Sequence, residues 1–428
     1  MTHYINAKLT IERLNGRGEG VAHFNGQIID VPYAIAGDEI SAEIDGARGY
    51  IGTIDTPSPD RVPAFCEHYT LCGGCVVQAL HPKAYAQWKR DLVKRAMRKM
   101  RIEAPIAEVI DAHGQGRRRV TFHARYVHGL GPMRIEVGFM KARAHDIVPL
   151  DHCPLLSPAL NNALPVARAV AFALRGISKP LDIQMTQSDT GLDVDIRGCG
   201  PLDEAARRHL LSCADEHDLA RISNHGVIIL ERRTPIVHMG EAIVPLPAGG
   251  FLQATVKGEE VLASLVCNPI HKAKRIVDLF AGCGTLTLRL AQIAEVFAVE
   301  ADEAALKALK KAAHHTPSLR PVHAEQRDLF ARPLSTKELA SFDVVVFDPP
   351  RAGAEAQARE LARSDVPLII AVSCNVQSLA RDARLLIDGG YHCELITPVD
   401  QFRHSSHIEC VALFRKALPA RKRGRLLG

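Results

Sequence analysis

Three motifs in the last quarter of the chain place a thiol or a carboxylate beside an apolar run. Cys374 ends VPLIIAVSC, Asp348 follows FDVVVF, and Glu409 opens ECVALF. Free cysteine is among the most buried residue types, so core packing explains Cys374 by itself as well as a catalytic role does. A carboxylate in apolar company, such as Glu409, is either a base with a raised pKa or the partner of an arginine. Neither of these two residues predicts chemistry alone.

A fourth motif, RIVDLFAGCGTLTLRLA (275–291), predicts a strand, a glycine turn and a helix. Gly282 and Gly284 allow the backbone to turn tightly and to approach a ligand closely. The third glycine of the dinucleotide fingerprint is absent from the sequence. Glu300 ends the next predicted strand, where an acid is placed to bond a ribose diol. This order indicates an adenosine ligand and favours S-adenosylmethionine over NAD, because a pyrophosphate loop is lacking.

A thiol beside an activated methyl group suggests one reaction. Carbon 5 of uracil is a poor nucleophile, but a thiolate that adds to carbon 6 creates an enolate whose carbon 5 can take the methyl group. A base must then remove the carbon 5 proton so that the thiol can be eliminated. Cys374 and Glu409 are the residue types that this scheme requires.

The elements that would position these groups follow from the apolar pattern. Between about 257 and 416, strand-like runs alternate with helical segments, which is typical of a doubly wound sheet. Asp348 and Cys374 would then follow the carboxyl ends of strands, at the edge where such sheets bind ligands. The sequence therefore predicts an α/β domain with its site at that edge.

Shifts in pattern divide the chain into four regions. Residues 1–58 contain short alternating runs separated by glycine turns, which predict a small antiparallel barrel. Residues 59–250 mix helical and strand patterns and predict an α+β domain, of which part of 83–120 is expected to pack on the catalytic domain. Residues 251–416 form the predicted catalytic domain, and 417–428 a basic tail.

The whole chain has the composition of an ordinary globular protein. Its 428 residues are 47% hydrophobic and 24% charged, with a formal charge of +5, which excludes a disordered chain. No apolar run approaches the roughly 20 residues of a membrane helix, and the N-terminus lacks a signal-peptide pattern, so a cytoplasmic location is expected. Basic runs at 87–101, 116–120 and 420–428 favour an anionic partner such as nucleic acid.

The motifs DLFAGCGT, FDPPRAG, AVSCN and HSSHIECVALF, in this order, resemble the RNA uracil-C5 methyltransferase family, over essentially the whole chain. The resemblance implies a Rossmann-like class I methyltransferase domain preceded by an OB-like β-barrel (TRAM) and a central α+β domain. It implies Cys374 as the nucleophile and Glu409 as the base that takes the carbon 5 proton. It assigns six residues to S-adenosylmethionine: Gln253, Phe280, Thr285, Glu300, Asp328 and Asp348.

Within the family, the barrel and a cysteine group are typical of the enzymes that act on 23S ribosomal RNA. That RNA is therefore the implied partner, and no membrane or obligate protein partner is expected. A transfer RNA target, a cytosine-C5 methyltransferase and a non-catalytic iron–sulfur RNA-binding protein remain alternatives. The chain departs from the usual pattern at Val376 after SCN, at Arg403 in DQFR, and at Ala254 after Gln253. None of these departures removes a reacting group.

The cysteine group is a candidate metal site. FCEHYTLCGGC supplies Cys66, Cys72 and Cys75, and LDHCPLL supplies Cys153. Eleven cysteines in a chain without an export signal argue against a disulfide framework. Four thiolates suit zinc or an iron–sulfur cluster, and four ordinary buried cysteines are a third explanation. The resemblance implies a 4Fe-4S cluster, with a structural or RNA-positioning role because the proposed reaction transfers no electron.

Overall fold

The computed structural model describes residues 5–127 and 132–416, so the predicted basic tail lies outside the described residues. The chain forms two compact units, each built from separate segments. The first contains the chain up to Leu92, Glu108–Val261 and Val399–Ile408. The second contains Val93–Ala107, Leu262–Pro398 and the chain from Glu409 onward. The boundaries of these units differ from the domain boundaries at 58 and 250, which stay a prediction.

The first unit begins with a six-stranded sheet in the order β1-β5-β6-β4-β3-β2. Its strands alternate as the sequence predicts: in β5, Ile40, Ala42 and Ile44 are buried while Glu39 and Glu43 face the solvent. The buried set joins residues of the other strands in one apolar core. The prediction of a strand-rich N-terminal region is confirmed. The strands are β1 (Ile5–Thr10), β2 (Arg13–Leu14), β3 (Gly20–Phe24), β4 (Gln27–Val31), β5 (Glu39–Asp45) and β6 (Arg48–Thr56).

A second sheet of the first unit has the order β10-β9-β8-β11-β12-β13-β14, and its core includes buried residues of helices α2 and α3. This is the α+β pattern predicted for the central region. The elements that follow the six-stranded sheet in the chain are α1 (Pro82–Lys99), β7 (Ile110–Asp111), β8 (Arg119–Val127), β9 (Arg134–Met140), β10 (Ile147–Pro149), α2 (Ala163–Ala173), β11 (Leu181–Ser188), β12 (Gly191–Arg197), α3 (Glu204–Glu216), β13 (Arg221–Asn224), β14 (Val227–Glu231), β15 (Ile236–Met239), β16 (Ala242–Pro245) and α4 (Val256–Cys267).

The second unit contains the predicted doubly wound sheet, with the strand order β19-β18-β17-β20-β21-β23-β22. Its elements are β17 (Arg275–Leu279), α5 (Thr287–Leu290), β18 (Glu295–Glu300), α6 (Glu303–His314), β19 (Val322–Gln326), α7 (Thr336–Leu339), β20 (Val344–Phe347), α8 (Glu355–Ala362), β21 (Leu368–Ser373), α9 (Val376–Asp388), β22 (Tyr391–Asp400) and β23 (Glu409–Lys416). The last two residues of β22 belong to the first unit, where they pair with β7.

The strand order of the second unit reverses at β17, which pairs with β18 on one side and with β20 on the other. Ligands of open α/β sheets bind at the carboxyl edge beside such a reversal. Strands β20 and β21 are buried along their whole length, as expected of central strands covered on both faces. In the described ranges, no helix is both long and apolar enough to cross a membrane.

Candidate active site and cysteine group

Three strands of the second unit bring the predicted reacting groups together. The parallel strands β20 and β21 end at the same edge of the sheet, and Asp348 and Cys374 follow them directly. Strand β23 runs antiparallel to β21, and its register pairs Ser373 with Cys410. One step further along this register, Cys374 lies opposite Glu409. Residues that are distant in the chain therefore meet at one strand end.

The charges around Cys374 agree with this register. Burial raises the pKa of the Cys374 thiol to about 11, and the negative charges of Glu409 and Asp348 add to the rise. The guanidinium of Arg351 opposes it. The Glu409 side chain itself is only 4% exposed. The thiol is consequently protonated at neutral pH and must lose its proton before it can attack a carbon atom.

The polar residues on both sides of Cys374 hold its backbone. The Ser373 hydroxyl accepts a hydrogen bond from the Asn375 amide at 3.2 Å and donates to the Asn375 carbonyl at 3.1 Å. Asn375 caps helix α9, because its side-chain oxygen accepts from the Gln377 amide at 2.9 Å. Its side-chain nitrogen donates to the Arg351 carbonyl at 3.1 Å. The strand end that carries the thiol is thus tied to the DPPR segment.

The glycine turn after β17 has the backbone that its sequence predicts. Gly282 and Gly284 have φ values of 57° and 104°, a region that favours glycine. A Cβ atom on Gly284 would lie 2.5 Å from a methyl group of Leu309, so a side chain there would collide with α6. A Cβ atom on Gly282 would meet no heavy atom within 4 Å. The carboxylate of Glu300 accepts the Gly282 N–H at 2.9 Å and so fixes the turn.

A buried carboxyl group links the ends of the neighbouring strands electrostatically. Burial raises the pKa of Asp278, in β17, to about 7, and the charges of Asp348 and Glu300 contribute to the rise. The Thr287 hydroxyl opposes it by donating to Asp278 at 2.6 Å. The predicted cofactor residues Glu300 and Asp348 therefore lie within electrostatic range of one group. Asp278 is not among the site residues predicted from the sequence, although its position near the end of a predicted strand was a signal for a place in the site.

The remaining predicted cofactor residues have two locations. In the second unit, the Phe280 ring lies 5.5 Å from the Phe330 ring, and Asp328 accepts the Phe330 N–H at 2.8 Å. Thr285 lies half-buried in the glycine turn. Gln253 belongs to the first unit, where its side-chain oxygen accepts a hydrogen bond from Gln401 at 2.8 Å.

The four cysteines of the candidate metal site lie half-buried in the first unit. Burial is the main cause that raises the pKa of Cys75 to about 12, and the charges of Cys153 and Cys72 contribute to the rise. The pKa of Cys72 is in turn raised by burial and by Cys66, so each of the four thiols lies within electrostatic range of another. Burial also raises the pKa of Cys153, and the positive charge of Arg117 opposes the rise at both Cys75 and Cys153.

The same thiols do not form a site for a single metal ion. Among the described residues, no three His, Cys, Asp or Glu groups are placed to hold one ion. Zinc requires its four ligands around one centre, whereas the thiolates of an iron–sulfur cluster bind different iron atoms and lie further apart. The iron–sulfur cluster at these cysteines stays a prediction.

One residue of the basic run 87–101 differs from the prediction of a nucleic-acid contact. Lys89 is completely buried, and its ammonium group donates to Asp400 at 2.9 Å and to the Phe402 carbonyl at 3.2 Å. It also donates to the His407 carbonyl. The prediction is wrong for this residue because its charge is used inside the first unit. The signal was available: Lys89 lies four residues before Val93, on the apolar stripe of the helix.

The segment that contains Asp400 is also held by aromatic and histidine side chains. The Tyr85 hydroxyl donates to Asp400 at 2.6 Å and accepts the His404 N–H at 2.8 Å. The His404 carbonyl accepts the Val76 N–H at 2.8 Å, which ties it to the residues after the cysteine loop. Burial lowers the pKa of His404, so its imidazole is neutral at pH 7. Asp400–Ile408 is thus fixed within the first unit and leads directly into Glu409 along the chain.

Comparison with known proteins finds similar RNA methyltransferases. A model of the family described as tRNA (uracil-5-)-methyltransferase matches residues 247–417. An uncharacterized RNA methyltransferase of Brucella melitensis is 40% identical over 416 residues, which cover 97% of this chain and 99% of the relative. The 23S rRNA (uracil(1939)-C(5))-methyltransferase RlmD of Pseudomonas savastanoi pv. phaseolicola is 31% identical, over 95% of this chain and 93% of its own length.

A solved structure shows the same fold. The tRNA (uracil-54, C5)-methyltransferase of Pyrococcus abyssi, crystallised with S-adenosyl-L-homocysteine, superposes with a TM-score of 0.71 at 20% identity. The superposition covers 96% of this chain and 100% of that one, and it confirms the predicted methyltransferase fold with its strand-rich N-terminal region. The sequence identities over nearly the full length decide the family. The chain belongs to the RNA (uracil-5-)-methyltransferase family.

Proposed function

We propose that this enzyme transfers the methyl group of S-adenosylmethionine to carbon 5 of a uridine in 23S ribosomal RNA. The observation that carries the proposal is the strand register that brings Cys374 opposite Glu409, with Asp348 within electrostatic range of the thiol. A nucleophile, a base and a second carboxylate at one strand end are the groups that this reaction requires.

The Cys374 thiol loses its proton to water, and its sulfur forms a bond to carbon 6 of the uracil. The electron pair of the carbon 5–carbon 6 double bond then forms the new bond to the methyl carbon, and the bond from that carbon to the sulfonium sulfur breaks. Glu409 takes the proton from carbon 5, the double bond is restored, and the carbon 6–sulfur bond breaks. Glu409 is buried, which supports a role for its carboxylate away from bulk solvent.

The cofactor would lie along the glycine turn. Gly282 leaves open space where a side chain would stand, and Glu300 at the end of β18 is the acid for the ribose hydroxyls. Phe280, Thr285 and Asp328 flank the same turn, and Asp348 would lie between the cofactor and the uracil. The target base must leave its stack, since a paired base cannot reach a thiol at a sheet edge.

The choice of 23S ribosomal RNA is supported by the full-length similarity to RlmD and by the cysteine group. A transfer RNA substrate is the second candidate, favoured by the description of the matching family model. Methylation of the two RNAs, each purified from cells that lack this protein, separates the candidates. Incorporation into transfer RNA alone would refute the ribosomal assignment.

We also propose that Cys66, Cys72, Cys75 and Cys153 hold a 4Fe-4S cluster. The shared electrostatic range of the four thiols and the neighbouring positive charge of Arg117 support this ligand set. When bound, such a cluster supplies structural cross-linking of distant chain segments. The proposed methyl transfer uses residues of the second unit and the side chains that bind S-adenosylmethionine. The cysteine group takes no part in it.

Two substitutions test the catalytic roles, Cys374→Ala with RNA that contains 5-fluorouridine, whose carbon 5 has no proton to lose, and Glu409→Gln with normal RNA. Cys374→Ala is expected to abolish both methylation and the covalent complex with the 5-fluorouridine RNA. Glu409→Gln is expected to form a covalent complex with normal RNA and to release it slowly, because proton removal is impaired. A covalent complex of the Cys374→Ala protein would identify another nucleophile, and normal turnover of Glu409→Gln would remove Glu409 from the role of base.

A further inference from the structure

Phe330 is an exposed aromatic residue at the edge of the sheet where the cofactor is proposed to bind. It follows β19 in the chain, and its side chain is 49% exposed. Single exposed hydrophobic residues are common on protein surfaces and need no function. The centre of the Phe330 ring, however, lies 5.5 Å from that of Phe280, one of the residues assigned to S-adenosylmethionine. A ring in this position is a candidate for a contact with the cofactor itself.

The turn that carries Phe330 is fixed by the residues next to the ring. The Asp328 carboxylate accepts the N–H of Phe330 at 2.8 Å and that of Ala331 at 3.4 Å. Such a bond from an aspartate to the backbone two residues later stabilises a turn. Leu329, between the two, is only 2% exposed and anchors the turn in the apolar core. The ring of Phe330 is therefore presented to the solvent by a turn that is held in place.

The chain just before this turn is tied to the end of β18, which carries the acid proposed for the ribose. The Arg327 N–H donates to the Glu300 carbonyl at 2.9 Å. The side-chain nitrogen of Gln326 donates to the Ala301 carbonyl at 3.1 Å. These two bonds hold the segment that leads to Phe330 against the residue that would bind the ribose hydroxyls.

The strand order gives the direction in which the cofactor must lie. The carboxyl ends of the parallel strands follow each other in the order β19-β18-β17-β20-β21. The reacting methyl group must lie near Asp348 and Cys374, which follow β20 and β21, while Glu300 ends β18. The adenine is attached to the ribose opposite the carbon that carries the sulfonium group. It therefore extends from the end of β18 away from β20, toward the end of β19, where Phe330 lies.

We propose that Phe330 is a further cofactor-binding residue, whose ring packs against the adenine of S-adenosylmethionine beside Phe280. The assignment rests on the proposed function in that the cofactor lies along the glycine turn. Aromatic side chains line cofactor pockets and bind bases by stacking, while a few polar groups fix the orientation. Here the ring supplies the apolar contact and Glu300 the polar one. The adenine does not react, so Phe330 contributes to affinity for the cofactor.

The test measures the binding of S-adenosylhomocysteine to the full chain by calorimetry, without RNA. Phe330→Ala is expected to weaken binding roughly tenfold, equivalent to about 1.4 kcal/mol, a typical contribution of a base stacked on one aromatic side chain. The affinity for S-adenosylmethionine should fall by the same factor, since the two ligands share the adenosine. Phe330→Tyr should retain the wild-type affinity, because the ring remains. In methylation assays, Phe330→Ala should raise KM for S-adenosylmethionine and leave KM for RNA unchanged.

Phe172→Ala is the matched control, because Phe172 is a phenylalanine of similar exposure, 57%, on helix α2 of the first unit. It should leave the affinity for both ligands unchanged. Wild-type affinity in Phe330→Ala, or an equal loss in Phe172→Ala, would overturn the adenine contact. A raised KM for RNA in Phe330→Ala with unaltered cofactor affinity would also refute it and would place an RNA base on the ring.

The two proposals fail separately, because the binding measurement contains no RNA. If the wild-type protein methylated no ribosomal RNA while Phe330→Ala still lost affinity for S-adenosylhomocysteine, the proposed substrate would be refuted and the adenine contact would stand. If the wild-type protein methylated ribosomal RNA while Phe330→Ala bound S-adenosylhomocysteine normally, only the adenine contact would be refuted.

Discussion

At the scale of single residues, the reactivity of Cys374 is governed by burial and by two carboxylates. Its pKa is raised from 9.0 to about 11, so the neutral thiol is the favoured form in the folded protein. We expect alkylation of Cys374 by iodoacetamide to accelerate about tenfold per pH unit until the pH approaches 11, because only the thiolate reacts. Peptide mass spectrometry at a series of pH values measures this rate separately from the other cysteines.

The same shift has a consequence for stability. A group whose pKa is raised on folding stabilises the folded state below its unfolded pKa, here 9.0, and that contribution is lost as the pH rises through about 11. Cys374→Ala should therefore show a smaller loss of stability between these pH values than the wild-type protein. Equal alkaline denaturation profiles would contradict the assigned pKa.

Glu409→Gln tests whether the carboxylate lies beside the thiol. Removal of its negative charge should lower the pKa of Cys374 and so accelerate alkylation at neutral pH. Glu394→Gln is the matched control, because Glu394 lies on the neighbouring strand β22 and pairs with Arg415. If both variants were alkylated at the wild-type rate, the antiparallel register would not place Glu409 next to the thiol.

Some of these residues were predictable from the sequence for a physical reason. A polar residue that ends a fully apolar run, as Cys374 and Asp348 do, must lie at the edge of a buried sheet. The effect of Arg351 on the thiol was not predictable, because it depends on how the chain turns after the two prolines of DPPR. Lys89 was misinterpreted because the charges around it hid its place on the apolar stripe of the helix.

At the scale of elements, the position of β23 decides the site. The alternation of strands and helices predicts a doubly wound sheet, and the structure has one. Periodicity in one sequence does not predict that the last strand lies between β21 and β22 and runs antiparallel to β21. Pairing between distant segments is set by packing rather than by local propensity. That single non-local pairing brings Glu409 to Cys374.

The segment Asp400–Ile408 depends on Lys89. Lys89→Met removes the ammonium group from a fully buried ion pair and leaves Asp400 without its charge partner, which costs about 3–5 kcal/mol in comparable sites. We expect a lower urea midpoint for unfolding and faster hydrogen exchange of the Phe402 and His404 amides. Lys83→Met, at an exposed position of the same helix, should change neither quantity. Unaltered exchange in Lys89→Met would show that this ion pair does not hold the segment.

At the scale of the whole molecule, the cysteine group joins segments that are far apart in sequence. Cys153 lies 78 residues after Cys75, by subtraction of their numbers in the chain. We expect anaerobically purified protein to contain iron and acid-labile sulfide in equal amounts, and Cys153→Ser to lose most of both. Cys267→Ser, which removes a thiol outside the group, should keep them. Zinc in place of iron, or full iron content in Cys153→Ser, would contradict the proposed ligand set.

We infer that Cys374 attacks a uridine of 23S ribosomal RNA and that carbon 5 receives the methyl group. The most direct measurement uses 23S ribosomal RNA from cells that lack this protein, S-adenosylmethionine with a labelled methyl group, and mass spectrometric mapping of the product. We expect labelled 5-methyluridine with the wild-type enzyme and none with Cys374→Ala. Label on another base or atom, or undiminished labelling by Cys374→Ala, would contradict it.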